Sequence, residues 1–427
     1  MRTADSYGVF FDVSGRAIGA AIVGLTLWGV AGCGIGATIS DGNGGSTVIG
    51  GNGGTTVIDG NGGSTVIGGN GGTTVIDGNR DTTLTSSLGK TSGEPNDTFP
   101  SAVVAVFDGA GVARLQGTIP REGDLDVFLL GSLAAGDRVI VDADTTGVGS
   151  ALDVSVAIFD ALERLVVNND DRAHNDLDSR VDWITRHDSP SYYLVVTHSA
   201  FAPEGRFTGS YRIDVQVTSG STVPAPVGQR LLLDFSGGFV DSPTLGTVSI
   251  DPFSAAAISD VYRGQDEALK EAIRRSVEQN FERFNITVLT SDDPPPGIGV
   301  PLSTIFFGGF NSSTFGIAED VDLYNTDCCD DAIVYAESFA PNVFSRTPTV
   351  AELGIAIGNI AAHEAGHLLG LNHVDDDRAL MDDQSAADVF LMDQEFIEAL
   401  LSTDIMPIGT QDAVLLLTET VDLRSPF

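Results

Sequence analysis

Three of the six histidines in this chain of 427 residues lie within the eleven-residue string HEAGHLLGLNH at positions 363–373. His363 and His367 are four residues apart, so on a helix both imidazoles would project from one face and could bind a single metal ion. Gly370 would allow the chain to leave the helix sharply and to return His373 as a third nitrogen ligand. Three protein ligands leave the fourth position of a tetrahedral zinc ion open for water, which is typical of catalytic rather than structural sites.

Glu364 directly follows the first of these histidines and is placed to take a proton from that water. The string, followed by Ala-Leu-Met at 379–381, resembles the metzincin clan of zinc endopeptidases, and its wording and spacing are most similar to the matrixin branch. The resemblance is close over residues 350–383. It implies one catalytic zinc ion bound by the three histidines, with Met381 beneath them as a hydrophobic base rather than as a ligand.

The resemblance also implies a mechanism, in which zinc lowers the pKa of its water and polarises the scissile carbonyl of a protein or peptide substrate. Glu364 would accept the proton of the water and pass it to the leaving amine. Asp383 departs from the astacin-like and serralysin-like pattern, which has a tyrosine ligand at that position. A cysteine-switch propeptide is not expected, because the only cysteine upstream of the domain is Cys33. No oxyanion-stabilising residue can be assigned from the sequence.

Two alternatives to the enzyme stay open at this point. The histidines could lie on an ordinary helix that binds no metal, or the domain could bind metal without catalysing a reaction. In the second case the protein would be a surface lipoprotein that binds a ligand through another domain. The enzyme is favoured by the intact set of His363, Glu364, His367, His373 and Met381.

An α/β domain at residues 230–427 is predicted to hold the histidine string, because strands and helices alternate there. The predicted strands begin at Arg230, Ile286, Thr304 and Ala332. The predicted helices cover Asp266–Phe284, Val350–Leu371 and Ala387–Leu401. The first of these helices is amphipathic, with apolar residues at helical spacing along one face.

Residues 92–218 contain short strands separated by Gly, Asp and Asn turns, which predicts an antiparallel, jelly-roll-like β-sandwich joined to the α/β domain by a linker at 219–229. The clearest strands begin at Val127, Arg138, Val154, Tyr192 and Tyr211. The motifs EPNDT at 94–98, GDLDVF at 123–128 and NNDD at 168–171 resemble the bacterial pre-peptidase C-terminal domain, an accessory module of secreted peptidases. Such modules usually follow the protease, whereas this one precedes the histidine string.

Calcium is a second candidate metal for this region, because it prefers clustered carboxylate and carbonyl oxygens. The candidate ligands are Asp97, Asp124, Asp126, Asp170 and Asp171. The simpler interpretation is that these residues serve the turns, since no loop has a complete ligand spacing.

Residues 1–32 resemble the signal peptide of a bacterial lipoprotein. An apolar run, Ile18–Ala31, follows an arginine and ends in Val-Ala-Gly-Cys at 30–33, which resembles a lipobox. Cys33 would then be lipidated and would anchor the protein in the cell envelope, at the outer surface or in the periplasm. An uncleaved membrane anchor and ordinary secretion are the alternatives, and all three place the protein outside the cytoplasm.

Residues 33–91 contain a Gly-rich repeat with a period of nine, which is clearest at 42–78. The repeat is similar to the calcium-binding nonapeptides of β-roll proteins. However, Thr55 and Ser64 stand where the ligating aspartates are expected. We therefore predict a flexible tether with an r.m.s. reach of about 45 Å.

The charge of the chain limits its partners. The 22 Lys+Arg and 59 Asp+Glu residues give a net charge of −37. Phosphate recognition needs clusters of basic residues, so a nucleic-acid partner is excluded. The predicted partners are a protein or peptide substrate and the membrane, and the oligomeric state is not assigned.

The adjacent Cys328 and Cys329 are candidates for a strained vicinal disulfide, because two thiols seldom persist in an oxidising compartment. Intermolecular bonding and buried thiols are the alternatives.

Overall fold

The computed structural model describes residues 94–425, apart from 174–175, 243–244, 295–296 and 298–299, and it also describes the backbone of three short strands before residue 94. Residues 90–427 belong to one compact unit. A second unit covers residues 28–89, in which β1 (Ile76–Asp77) pairs antiparallel with β2 (Arg80–Asp81). The predicted signal peptide, Cys33 and most of the predicted tether lie outside the described residues. No helix within the described part of the chain is both long and apolar enough to cross a membrane.

The first part of the compact unit is a sandwich of two five-stranded sheets. Its strands are β3 (Lys90–Thr91), β4 (Val103–Val104), β5 (Val112–Ile119), β6 (Asp126–Leu133), β7 (Arg138–Asp144), β8 (Val154–Phe159), β9 (Leu165–Asn169), β10 (Arg180–Ile184), β11 (Ser189–His198) and β12 (Gly209–Thr218). One sheet has the order β10-β7-β12-β5-β3 and the other has the order β4-β6-β11-β8-β9. All neighbours are antiparallel except β3 and β4, which run parallel to β5 and β6. The predicted antiparallel β-sandwich is therefore confirmed.

Alternation along these strands explains the sandwich core. In β12, the apolar residues Tyr211, Ile213 and Val215 are buried while the intervening polar residues are exposed. The inward residues of both sheets form one apolar cluster, in which Trp183 packs edge-on against Tyr192 with ring centroids 5.7 Å apart. Inward-facing apolar side chains at alternate positions interdigitate to form the core of such a fold, and edge-on aromatic pairs stabilise it further.

The second part is an α/β domain. Its strands are β13 (Gln229–Asp234), β14 (Gly238–Ser242), β15 (Gly246–Ile250), β16 (Ile286–Thr290), β17 (Ser303–Phe307), β18 (Gly316–Ala318), β19 (Asp331–Val334), β20 (Glu398–Leu400) and β21 (Thr410–Asp412). Its α-helices are α1 (Ala255–Ile258), α2 (Asp266–Asn280), α3 (Val350–His367) and α4 (Ala413–Val421). Single-turn 3-10 helices of the whole unit lie at Phe99–Ser101, Thr146–Val148, Asp260–Tyr262, Ala336–Phe339, Pro341–Val343 and Val389–Leu391.

The main sheet of this domain has the order β16-β13-β17-β19-β18. The first four strands are parallel, and β18 is an antiparallel edge strand. Ile305 and Phe307 face the cluster formed with α2 and α3, whereas Phe306 faces the β14–β15 hairpin on the other side. The sheet is therefore covered on both faces, as expected for parallel strands, and the predicted α/β domain is confirmed.

Two glycines let α2 and α3 pack closely. A Cβ atom at Gly354 would collide with Ala272, and one at Gly358 would collide with the Ser276 side chain. This close contact holds α3 against α2, and α3 is the helix that carries the histidines.

The predicted third helix at 387–401 is wrong. This region forms a single 3-10 turn and the short strand β20, and the last helix is α4 instead. The physical reason is that the segment pairs with another part of the chain. Glu395 N donates to Arg378 O, and the buried Gln394 side chain donates to the carbonyl oxygens of Asp377 and Ala379. These bonds stabilise an extended backbone that an isolated helical pattern does not reveal.

Candidate metal centre

Helix α3 carries His363, Glu364 and His367 in its last two turns. The helix begins with a capping box, in which Thr349 Oγ1 accepts from Glu352 N at 3.3 Å and Glu352 Oε2 accepts from Thr349 N at 2.8 Å. Such a cap fixes where the first turn begins and hence which faces the later residues occupy.

The chain leaves the helix at Gly370. Gly370 N donates to His367 O at 2.8 Å, and Leu371 N donates to Gly366 O at 2.9 Å. The φ angle of Gly370 is +93°, and an added Cβ would lie 2.7 Å from Leu323 Cα. Only glycine tolerates both the positive φ angle and the close approach of the Leu323 backbone.

The three histidines converge on one point. Each offers one ligand atom, and these atoms lie within 4.8 Å of one another. His367 Nε2 is 3.1 Å from the Nε2 atoms of both His363 and His373. Among the residues that the structure describes, this is the only group of three or more His, Cys, Asp or Glu residues arranged in this way.

The tautomers of two histidines follow from their neighbours. His363 Nδ1 lies 2.6 Å from Leu380 O, and His367 Nδ1 lies 2.7 Å from Leu371 O. A carbonyl oxygen can only accept, so each Nδ1 carries the proton and each Nε2 presents its lone pair to the centre. This is the arrangement of imidazoles that bind a metal ion through Nε2.

The electrostatics of the centre favour a bound cation. Burial lowers the pKa of His363 to about 4, and burial together with the neighbouring imidazoles lowers the pKa values of His367 and His373 well below 6.5. Three neutral imidazoles therefore face one point. Burial also raises the pKa of Glu364 well above 4.5.

Glu364 is the least satisfied group at this centre. Glu364 is fully buried, and neither of its carboxylate oxygens has a hydrogen bond of normal geometry among the described residues. The backbone amide of Ala318 lowers the pKa of Glu364 slightly, against the larger effect of burial. A Cβ at Gly316 of the edge strand β18 would collide with Glu364 Oε1. Glu364 directly follows the first of the three histidines, and its unsatisfied buried carboxyl fits a centre that holds a divalent cation with a water ligand.

Met381 packs against the last turns of α3. It is buried, and a Cβ at Gly366 would lie 2.5 Å from its Sδ atom, so the methionine lies directly beneath the turn that separates the two helical histidines. Met381 O accepts from Val374 N at 2.9 Å, which ties this turn to the loop that carries His373.

Asp383 lies on the other side of His373. Its Oδ2 atom is 3.9 Å from His373 Nδ1 and accepts a hydrogen bond from Ser402 Oγ at 2.8 Å. Burial raises the pKa of Asp383 to about 6. The residue that departs from the tyrosine pattern is thus a neighbour of the third histidine.

Two residues that support the loop of His373 were not assigned to the metal centre by the sequence analysis. The Gln411 side chain forms hydrogen bonds with both the backbone N and the backbone O of Asn372. Asn168 of the sandwich accepts a hydrogen bond from the Asn372 side chain. Asn168 belongs to the NNDD motif, but each residue contributes a single amide far along the chain from the histidines, so no motif spacing relates either one to them.

The candidate calcium ligands are not brought together as a metal group. Asp97 and Asp124 pair with Arg121 at 3.2 and 2.9 Å, and Asp126 accepts from Asn96 at 2.9 Å. A calcium site at these residues is therefore not supported. Asp97, Asp124 and Asp126 make local hydrogen bonds and ion pairs, and Asp170 Oδ2 accepts from Ser199 Oγ at 3.0 Å.

Cys328 and Cys329 do not form the expected bond in this structure. Their Sγ atoms are 3.7 Å apart, which is a contact between sulfur atoms and much longer than the roughly 2 Å of a disulfide.

Comparison with known proteins agrees with this geometry. Residues 253–398 match the model of the matrixin family, peptidase family M10. This match and the histidine cluster identify the C-terminal domain as metallopeptidase-like. No curated protein is significantly similar in sequence to this chain.

Solved structures similar to part of this chain are also found. Archaemetzincin from Methanopyrus kandleri is 12% identical with a TM-score of 0.24, and the match covers 46% of this chain and 98% of that one. The pre-peptidase C-terminal domain of collagenase from Bacillus anthracis is 12% identical with a TM-score of 0.21, covering 27% of this chain and 94% of that one. PliG from Aeromonas hydrophila, a periplasmic inhibitor of g-type lysozyme, is 17% identical with a TM-score of 0.21, covering 27% and 96%.

Proposed function

We propose that this chain is an extracellular, lipid-anchored, zinc-dependent endopeptidase. The observation that carries the proposal is the convergence of three neutral imidazoles beside the buried, unsatisfied carboxyl of Glu364. The Nε2 atoms of His363, His367 and His373 would hold the zinc ion. Bound zinc would supply Lewis acidity that polarises a peptide carbonyl and lowers the pKa of water.

Glu364 is the group that would move protons. Its carboxylate would accept a proton from the attacking water as the water oxygen bonds to the scissile carbonyl carbon. It would then deliver that proton to the nitrogen of the leaving amine as the C–N bond breaks. Zinc would also lower the pKa of Glu364 by its positive charge, so the carboxylate would be ionised and able to act as a base.

The edge strand β18 is suited to bind the substrate. β18 pairs with β19 on one side, and among the described residues no strand pairs with its other side. An extended peptide could add to this edge through backbone hydrogen bonds. Since Gly316 of β18 lies against Glu364, such a peptide would be bound next to the catalytic carboxyl.

The proposed location rests on the N-terminal sequence. Cys33 follows an apolar run and small residues, and lipidation there would anchor the chain to the cell envelope. A Cys33→Ser variant should move from the membrane fraction to the soluble fraction and should lose labelling by a radioactive fatty acid. Unchanged labelling would refute the anchor without bearing on the peptidase.

The peptidase is tested with the full chain and a library of quenched fluorescent peptides. We expect cleavage to stop when a chelator removes the metal and to return when Zn²⁺ is added. Glu364→Gln keeps the shape of the side chain but cannot accept a proton, so cleavage should fall by about a hundredfold or more while zinc stays bound. The matched control is Glu278→Gln, on the surface of α2, which should cleave at the wild-type rate.

Two results would contradict the proposal. Undiminished cleavage by Glu364→Gln would remove this residue from the mechanism. A wild-type protein that binds zinc but cleaves no peptide would indicate the alternative, a metal-binding lipoprotein without catalytic activity.

A further inference from the structure

The loop that carries the third histidine is held from outside the histidine string. Asn372 precedes His373, and its backbone N donates to Gln411 Oε1 at 2.7 Å while its backbone O accepts from Gln411 Nε2 at 2.8 Å. Gln411 is fully buried on β21. One side-chain amide therefore satisfies both polar groups of the residue next to the ligand.

The segment after β20 holds the same loop on its other side. His373 O accepts from Ser402 N at 3.1 Å, and Val374 forms an isolated antiparallel bridge with Leu401. Since β20 pairs with β21, the two groups that hold His373 belong to a single hairpin and its connecting loop. The position of His373 therefore depends on where this hairpin lies.

The hairpin is packed on the β-sandwich. Leu401, Ile405 and Met406 belong to one buried apolar cluster with sandwich residues that include Phe99 and Phe159. This cluster removes apolar side chains of both domains from water, so it fixes the connecting loop of the hairpin against the sandwich.

Polar contacts fix the second strand of the hairpin as well. Thr410 N donates to Glu163 O at 2.9 Å, and Arg164 Nη1 lies 3.2 Å from Asp412 Oδ2. Gly409 has a φ of +88°, and an added Cβ would collide with the Phe159 ring, so the backbone approaches the sandwich as closely as sterics permit.

One sandwich residue also reaches the zinc loop directly. Asn372 Nδ2 donates to Asn168 Oδ1 of β9 at 3.3 Å, and Asn372 is almost completely buried. The third histidine is thus connected to the sandwich by two routes, through the hairpin and through Asn168.

We propose that the β-sandwich is part of the scaffold of the metal centre, in which Gln411 is the main positioning residue for His373 and Asn168 is a second one. The inference rests on the proposed function only in so far as the three histidines bind a metal ion. Removal of a residue that orients a metal ligand typically weakens metal binding by about 10-fold to 100-fold. We expect a loss of this size for Gln411→Ala.

The experiment uses the full chain loaded with Co²⁺, because the visible absorption of cobalt reports the geometry of its ligands. The dissociation constant for Co²⁺ is measured by competition with a chelator. Gln411→Ala should bind Co²⁺ about 10-fold to 100-fold more weakly and with an altered spectrum. Gln411→Glu can still accept from Asn372 N but has no donor for Asn372 O, so its affinity should be intermediate.

The control is Gln229→Ala. Gln229 is as buried as Gln411 and donates to Ser303 Oγ at 2.7 Å, far along the chain from the histidines. This variant loses an equivalent buried amide, so any general destabilisation is matched. Its cobalt affinity and spectrum should equal those of the wild type.

The sandwich route has its own pair of variants, which keeps the inference testable if Gln411→Ala does not fold. Asn168→Ala should weaken Co²⁺ binding by about twofold to tenfold, the effect of one hydrogen bond. Asn169→Ala on the same strand removes a bond to Arg180 N at 2.9 Å, within the sandwich, and should leave metal binding unchanged.

The outcomes separate this inference from the proposed function. Wild-type affinity and spectrum in both Gln411→Ala and Asn168→Ala would overturn the inference, while a wild-type chain that binds no Co²⁺ or Zn²⁺ would overturn the proposed function. Weaker binding in Gln229→Ala and Asn169→Ala to the same extent would also overturn the inference, because the effect would then be general destabilisation.

Discussion

His187 should make the stability of the protein depend on pH above neutrality. This sandwich residue lies between two carboxylates, with its Nδ1 2.7 Å from Glu419 Oε1 on α4 and its Nε2 3.5 Å from Asp160 Oδ2. Asp160 and Glu419 raise the pKa of His187 to about 9, against an opposing effect of burial. At 3.5 Å, Asp160 acts as an ion-pair partner, whereas Glu419 makes the short hydrogen bond between the two domains.

The direction of the effect follows from the raised pKa. The charged imidazole stabilises the folded state fully below pH 6.5, and this stabilisation is lost as the pH rises from 6.5 to about 9. A rise of this size in pKa corresponds to about 3 kcal/mol of unfolding free energy. Because 24% of the side chain is exposed, solvent screening reduces the expected effect to about 2 kcal/mol.

The assay is urea unfolding of the metal-free full chain at pH 6, 7.5 and 9.5, comparing the wild type with His187→Gln. The difference in unfolding free energy between the two should shrink by about 2 kcal/mol over this range, since glutamine does not titrate. His198→Gln is the control, because the His198 ring makes its hydrogen bonds to backbone groups, with Nε2 accepting from Gly123 N at 3.0 Å and Nδ1 2.8 Å from Ser199 O. Parallel pH profiles for the wild type and His187→Gln would refute the reasoning.

Two glycine substitutions test the positions on which the metal centre depends. Gly370→Ala should destabilise the protein by about 2–4 kcal/mol and weaken zinc binding, because alanine is strained at a φ of +93° and its Cβ would meet the Leu323 backbone. Urea unfolding measures the stability and chelator competition measures the zinc affinity. A variant with wild-type stability would contradict the geometry at Gly370. Gly358→Ala should cost about 1–3 kcal/mol through its collision with Ser276, and it should be partly rescued by Ser276→Gly; absence of rescue would contradict the close contact of α2 with α3.

The local part of the metal centre could be predicted from the sequence. His363 and His367 are related by one helical turn, and Gly370 marks the helix exit, so the geometry depends on residues within a short segment. The convergence of the Nε2 atoms is in agreement with that prediction. The support of His373 could not be predicted, because Gln411 acts through one amide placed by the tertiary fold.

The segment 387–401 illustrates why a periodic pattern can mislead. Its apolar residues are spaced as on a helix, but Phe390 is buried from a single 3-10 turn and Phe396 packs on Phe281, the residue that follows α2. The backbone of Glu395 is paired with Arg378 and Leu380 instead of with its own helical turn. Tertiary pairing overrides local propensity here, and the sequence carries no local sign of it.

The sandwich and the α/β domain are held together by direct contacts. The predicted boundary at 219–229 stays a prediction, but the contacts across it show that the sandwich is not joined by a linker alone. Phe159 of the sandwich and Met406 after β20 share one buried cluster, and Arg186 donates to Glu419 O of α4 at 2.7 Å. Separation of the domains would expose this cluster to water and would leave buried polar groups without partners. The contacts that hold the sandwich in place therefore also hold the hairpin that positions His373. In this way the sandwich, which precedes the metal centre in the chain, contributes to the stability of that centre.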